Sequence, residues 1–177
     1  TCKINDWPIE HYLAAEHPLQ QAIAEHIAEL IGAAITEIGV DGCGAPTHAF
    51  SLRGLADAFA AVALADGSVA RAMRAHPELV GGTGRDITAW MQAVPGLIAK
   101  EGAAGVMAAA LPDGRAVAYK ISDGSDAARQ AVMPKAMNLL GVDRDTIQRV
   151  VAETRVPVMG HGREVGQLSP LRWLASD

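Results

Sequence analysis

Apolar residues recur at mixed three- and four-residue steps through the first third of the chain. Leu19, Ile23, Ile27, Leu30 and Ile31 carry the pattern, which is the spacing of one helix face. It predicts helices over about 9–17 and 18–38. Pro18 opens the second, where its missing N–H costs nothing. A further helix is predicted from near Ser51, with Leu52, Leu55, Ala56, Phe59, Val62 and Ala63 on one face and ADG at 65–67 ending it. Short helices follow over 68–76 and 86–93. The period then drops to two. AGVMAAALPDGRAVAYKIS, 104–122, predicts a hairpin that turns at Pro112-Asp113-Gly114. Helical spacing returns over about 126–140 and 143–152, and TRVPVMGHGREVGQL predicts two short strands around a glycine turn.

Helices, hairpin, helices and hairpin in that order predict an α+β architecture, an antiparallel sheet with helices beside it. Residues 1–95 are expected to form a mostly helical part and 96–177 a sheet-forming part of a single domain. So few strands make a small sheet with exposed edges. Further strands are therefore expected from a second copy of the chain or from a first half that precedes Thr1.

Composition narrows the partners. Half of the 177 residues are apolar and 20% are charged, a globular balance. The net charge of −5 and the lack of a Lys/Arg cluster exclude nucleic acid as the main partner. Apolar runs such as AGVMAAALP fall short of a bilayer's thickness, so no membrane partner is expected. The two cysteines make no disulfide framework, and a cytoplasmic location with reduced thiols is expected.

Three segments carry candidate chemistry. DGCGAP, 41–46, sets Asp41 and Cys43 in a glycine-braced loop between two predicted helices. Cys43 reads as a nucleophile, a metal ligand or a small buried thiol, and the common zinc spacings are absent. Asp41 reads equally as a turn cap. In the strand 115–122, Lys120 shares a face with Ala116, Ala118 and Ser122, opposite Val117, Tyr119 and Ile121. A lysine there is either a base beside a cleft or a solvated strand residue. GGTGR, 81–85, leads into a helix whose N-terminus suits an anion. Capping by Thr83 or Asp86 is the simpler alternative. His11, His17 and His26 share no ligand spacing and read as surface or cap residues.

DGCGAP, GGTGR, AVAYKISDGS and the closing VGQLSP together resemble the asparaginase II family, the rhizobial-type L-asparaginases. The resemblance runs from HPLQ at 17–20 to the tail. It implies a serine β-lactamase-like fold and hydrolysis of the side-chain amide of L-asparagine, with no organic cofactor. It places Lys120 and Asp41 in catalytic roles, Gly84, Arg85 and Ser122 at the substrate, and Asp41 and Cys43 in a zinc-site motif at the rim of the same cleft as Lys120. The family's Ser-x-x-Lys and Ser-Gly-Lys-His stretches do not occur here; no serine has a lysine three residues on. The chain therefore resembles the C-terminal half of such an enzyme. The nucleophile and the remaining zinc ligands are expected outside it, and its expected partners are L-asparagine and either a second copy or the missing half. A penicillin-interacting relative of the same fold would lack its Ser-x-x-Lys too. An inactive half serving as a binding or assembly module, and a glutaminase, are the other readings.

Overall fold

The computed structural model describes residues 1–169, in two units, Thr1–Ala58 and Phe59 onward. Pro170, the last residue of VGQLSP, lies outside the described residues.

In the first unit α1 spans Pro18–Ile31. Its N-cap is His17, whose Nδ1 accepts from the Leu19 N–H at 3.1 Å while Nε2 donates to Pro8 O at 2.8 Å. Gly32, at φ +62°, ends the helix in the left-handed conformation that costs glycine nothing. Residues 9–16, expected to be helical, are turns instead. Pro18 disfavours helical geometry at His17, and the Gln20 amide donates to Tyr12 O at 2.8 Å, folding the segment back on α1.

Beyond Gly32 the expected helix gives way to a hairpin of β1, Glu37–Val40, and β2, Pro46–Ala49, paired antiparallel from Glu37↔Ala49 to Val40↔Pro46. DGCGAP is thus the tip of a hairpin and not a joint between helices. Strands of four residues are too short for their alternation to stand out from a helical pattern. α2, Leu52–Ala65, starts in this unit. Gly54 lets it approach α1, since a Cβ there would sit 3.1 Å from Ile31 Cβ.

The second unit continues from α2 into α3 (Ser68–Ala75), α4 (Pro77–Gly81) and α5 (Asp86–Ala93). A meander follows, β3 (Ile98–Gly102), β4 (Val106–Ala110) and β5 (Ala116–Lys120), in the order β3-β4-β5. α6 (Asp126–Leu139), α7 (Arg144–Thr154) and a hairpin of β6 (Pro157–Gly160) and β7 (Arg163–Gln167) complete it. The arrangement is α+β. β3 is an addition to the predicted hairpin; its sequence IAKEG has too little alternation to read as a strand.

Because successive strand residues face opposite ways, the sheet serves two cores. Ala99, Met107, Ala109 and Tyr119 pack against Trp90 of α5, Met133 and Met137 of α6 and Val150 of α7. Ile98, Ala110 and Ala116 pack against Phe59 and Ala63 of α2 and Ala70 of α3. The alanines of the second core let helices and sheet approach closely. No helix among the described residues is long and apolar enough to cross a membrane.

Candidate functional site

The GGTGR turn is set by packing. A Cβ on Gly81 would lie 2.8 Å from Thr88 Oγ1 and 3.0 Å from Ile87 Cβ, closer than side-chain carbons tolerate. The Thr88 hydroxyl donates to Gly82 O at 2.6 Å, and Gly84 turns at φ +74°. The turn delivers Arg85 as N-cap of α5, with no side-chain capping bond, and Asp86 as its first residue. Neither Thr83 nor Asp86 caps the helix. The Asp86 carboxylate has a stronger partner.

That partner is Arg129 of α6. Its Nη1 donates to Asp86 Oδ2 at 2.9 Å and its Nη2 to Asp86 Oδ1 at 3.0 Å. Both side chains are out of solvent, at 0% and 4% exposure. Arg129 Nε donates to Asp126 Oδ1 at 2.7 Å, and Gln130 Nε2 to Asp126 Oδ2 at 2.9 Å. The Tyr119 hydroxyl donates to Arg129 O at 2.7 Å. Burial works against the Arg129 charge, but its hydrogen bonds to Asp86 and Asp126 outweigh it and hold the guanidinium above its ordinary range. The hydrogen bond from Arg129 lowers the Asp126 pKa. Burial raises that of the Tyr119 phenol. A single cation between two carboxylates leaves one negative charge, and Asp126, 55% exposed, presents it to solvent.

It is presented to a cleft of about 250 Å³ lined by Gly84, Arg85, Asp86, Asp126, Gln130 and Thr154. Arg85 supplies the opposite charge; its Nη2 stands 3.5 Å from Glu101 Oε1. Among the described residues Glu101 Oε2 makes no hydrogen bond; Lys100 Nζ stands 3.3 Å from it and donates to Glu101 O. An apolar groove walled by Trp90, Pro134, Val151 and Val156 adjoins the cleft and shares Gln130 and Thr154 with it. A cation, a carboxylate, an amide and a hydroxyl around so small a space suit a small polar solute better than a chain segment.

Of the residues singled out from sequence, Gly84 and Arg85 meet in this cleft, and Lys120 and Ser122 do not line it. Lys120 is exposed at the end of β5, opposite Val106, and its ammonium donates to Ile121 O at 2.5 Å. Ser122 is exposed in the turn before α6.

Asp41 and Cys43 lie in the first unit. The Gly42 N–H donates to Asp41 Oδ1 at 2.7 Å, the side-chain turn cap expected as the simpler reading. Cys43 is exposed, so it is not a buried structural thiol. Its Sγ lies 3.9 Å from Asp41 Oδ2. Structural zinc takes four ligands, and among the described residues no three His, Cys, Asp or Glu side chains gather around one point. Two donors alone do not fit zinc. Arg129, Asp126 and Gln130 were not legible as site residues. Asp126 and Arg129 show a helical i,i+3 spacing, but only the fold reveals Asp86, 43 positions away, as the third member.

The family model described as L-asparaginase II matches residues 1–170. No curated protein shows a significant match to the chain.

Proposed function

Because the chain belongs to the L-asparaginase II family, we propose that it takes part in hydrolysing the side-chain amide of L-asparagine to L-aspartate and ammonia. The match over nearly the whole sequence carries this reading, and the small polar cleft beside GGTGR supports it. In the proposed reaction a serine hydroxyl attacks the amide carbon, the amide nitrogen leaves as ammonia, and water releases aspartate from the ester. That serine comes from outside these 177 residues, in a serine β-lactamase-like fold of which this chain is the C-terminal portion. Lys120 lowers the barrier by its charge, Asp41 assists, and Gly84, Arg85 and Ser122 hold the substrate. Asp41 and Cys43 would contribute to a zinc site only if further ligands joined them, and no step is assigned to the metal. A second reading, an inactive half that binds a partner or a small amide, is favoured by one observation: no serine here has a lysine three residues on.

Ammonia release separates these readings. The 177-residue chain alone is expected to release none from L-asparagine. Supplied with a segment bearing Ser-x-x-Lys, it is expected to become active, with glutamine as the comparison substrate and Lys120→Ala abolishing the rate. Release by the chain alone would overturn the placement of the nucleophile. No release from the completed protein would favour the inactive reading.

A further inference from the structure

Resting on that substrate reading, we propose that the cleft formed by Arg85, Asp126, Gln130 and Thr154 recognises the α-amino and α-carboxylate groups of a free amino acid, with Asp126 taking the ammonium and Arg85 the carboxylate. Three features of the cleft lead to this.

The first is charge. Arg129 is fully buried and bridges Asp86 and Asp126, so the cluster carries one net negative charge whose exposed end is Asp126. Arg85, half-exposed on the same cleft, carries the opposite sign, and its contact with Glu101 through Nη2 leaves other guanidinium N–H groups to donate. A zwitterion placed between the two satisfies both at once; a simple anion or cation satisfies one and opposes the other.

The second is the hydrogen-bonding capacity left over. Each Asp126 oxygen already accepts one bond, from Arg129 Nε and from Gln130 Nε2, and each keeps a further lone pair. The Thr154 hydroxyl donates to Val150 O at 2.8 Å, which leaves its oxygen as an acceptor. Gln130 has spent an amide N–H and keeps its carbonyl oxygen. The walls therefore offer acceptors around Asp126 and donors at Arg85. L-Asparagine offers donors from its ammonium and its amide, and acceptors from its carboxylate.

The third is rigidity and size. Asp126 is held from both sides, and Arg129, which never touches the cleft itself, fixes it as a positioning residue. The volume of about 250 Å³ falls below the roughly 300–1,000 Å³ of pockets for larger ligands and suits one amino acid.

The test titrates the ¹⁵N-labelled 177-residue protein with three compounds, followed by amide chemical shifts. They are L-asparagine, its analogue lacking the amino group (succinamic acid) and its analogue lacking the carboxylate (3-aminopropanamide). L-Asparagine is expected to shift Gly84, Asp126 and Thr154. Asp126→Asn keeps an acceptor for Arg129 and is expected to weaken L-asparagine at least about tenfold, the order of one charge-assisted hydrogen bond, while succinamic acid, relieved of the opposing carboxylate, binds no more weakly. Arg85→Gln, which also removes the ion pair to Glu101, is expected to weaken L-asparagine and bind 3-aminopropanamide no more weakly. Equal losses for all three compounds, shifts centred elsewhere, or no saturable binding of L-asparagine would overturn the proposal. The pattern holding while the completed protein releases no ammonia would refute the hydrolytic reading and leave the recognition site in place. Ammonia release with KM unaltered by Asp126→Asn would do the reverse.

Discussion

Arg129→Met tests the buried ion pair directly. The change keeps an unbranched side chain of similar reach and removes the guanidinium. Asp86, with its side chain 4% exposed, then keeps its carboxylate and loses both charge-assisted hydrogen bonds. Asp126 loses one bond but remains in water. An uncompensated buried charge costs about 3–5 kcal/mol, a large share of the roughly 5–15 kcal/mol that holds a typical domain together. The exposed Arg155–Glu164 pair, at 45% and 41% exposure, is the internal control, and Arg155→Met should cost under about 1 kcal/mol. Urea unfolding followed by fluorescence reads this unit through Trp90, which is buried in the core one turn beyond Asp86. The double variant Asp86→Leu/Arg129→Met removes both charges and should cost less than Arg129→Met alone, because no orphaned group remains. If Arg129→Met costs no more than the surface control, or if the two changes simply add, the pair is not the anchor described above.

Three further outcomes follow from the same geometry. The hydrogen bond from Arg129 depresses the Asp126 pKa, so the group's contribution is present above the unfolded carboxylate value of about 3.9 and is lost as the pH falls through the lower folded value; Asp126→Asn should flatten the acid limb of stability below about pH 4 in urea midpoints. Burial raises the Tyr119 pKa, so its contribution is present below about pH 10 and declines as the pH rises beyond. Tyr119→Phe should flatten that alkaline decline and cost about 1 kcal/mol at neutral pH through the lost bond to Arg129 O, both read by denaturation across pH. Cys43 is exposed on a hairpin tip, so it should react with Ellman's reagent in the folded protein. Cys43→Ser should change stability by less than about 0.5 kcal/mol; protection of that thiol until unfolding would contradict its placement.

Helices with strong periodicity were legible from the residues alone. α5 spans Asp86–Ala93 as expected, and α3, α6 and α7 agree within a few residues. The glycine and proline turns likewise marked the hairpins β4-β5 and β6-β7, but β1 and β3, of four and five residues, carry too little alternation and are defined by their pairing partners. The segment 9–16 went the other way because a cap at His17 and a side-chain bond from Gln20 outweigh its helical spacing. At the site, glycines announced a special turn at GGTGR but not its purpose. Asp86 looked like a cap because N-terminal aspartates usually are. Its true partner is distant in sequence, and an arginine at 129 on a helix of mixed polarity gives no local sign of burial.

The meander β3-β4-β5 joins each strand to its sequence neighbour, so most of the second unit can assemble by closing short loops. Such local topologies fold quickly. The Asp86–Arg129 bond is one of the long-range contacts, and it closes a span of 43 positions that encloses the whole sheet. It is expected to form late, after the strands between its ends have brought α5 and α6 together. Interactions made that late govern how slowly a protein comes apart rather than how fast it folds. The buried arginine is then expected to serve as a kinetic latch on the turn and helix ends that shape the cleft, with Arg129→Met speeding unfolding more than it slows folding.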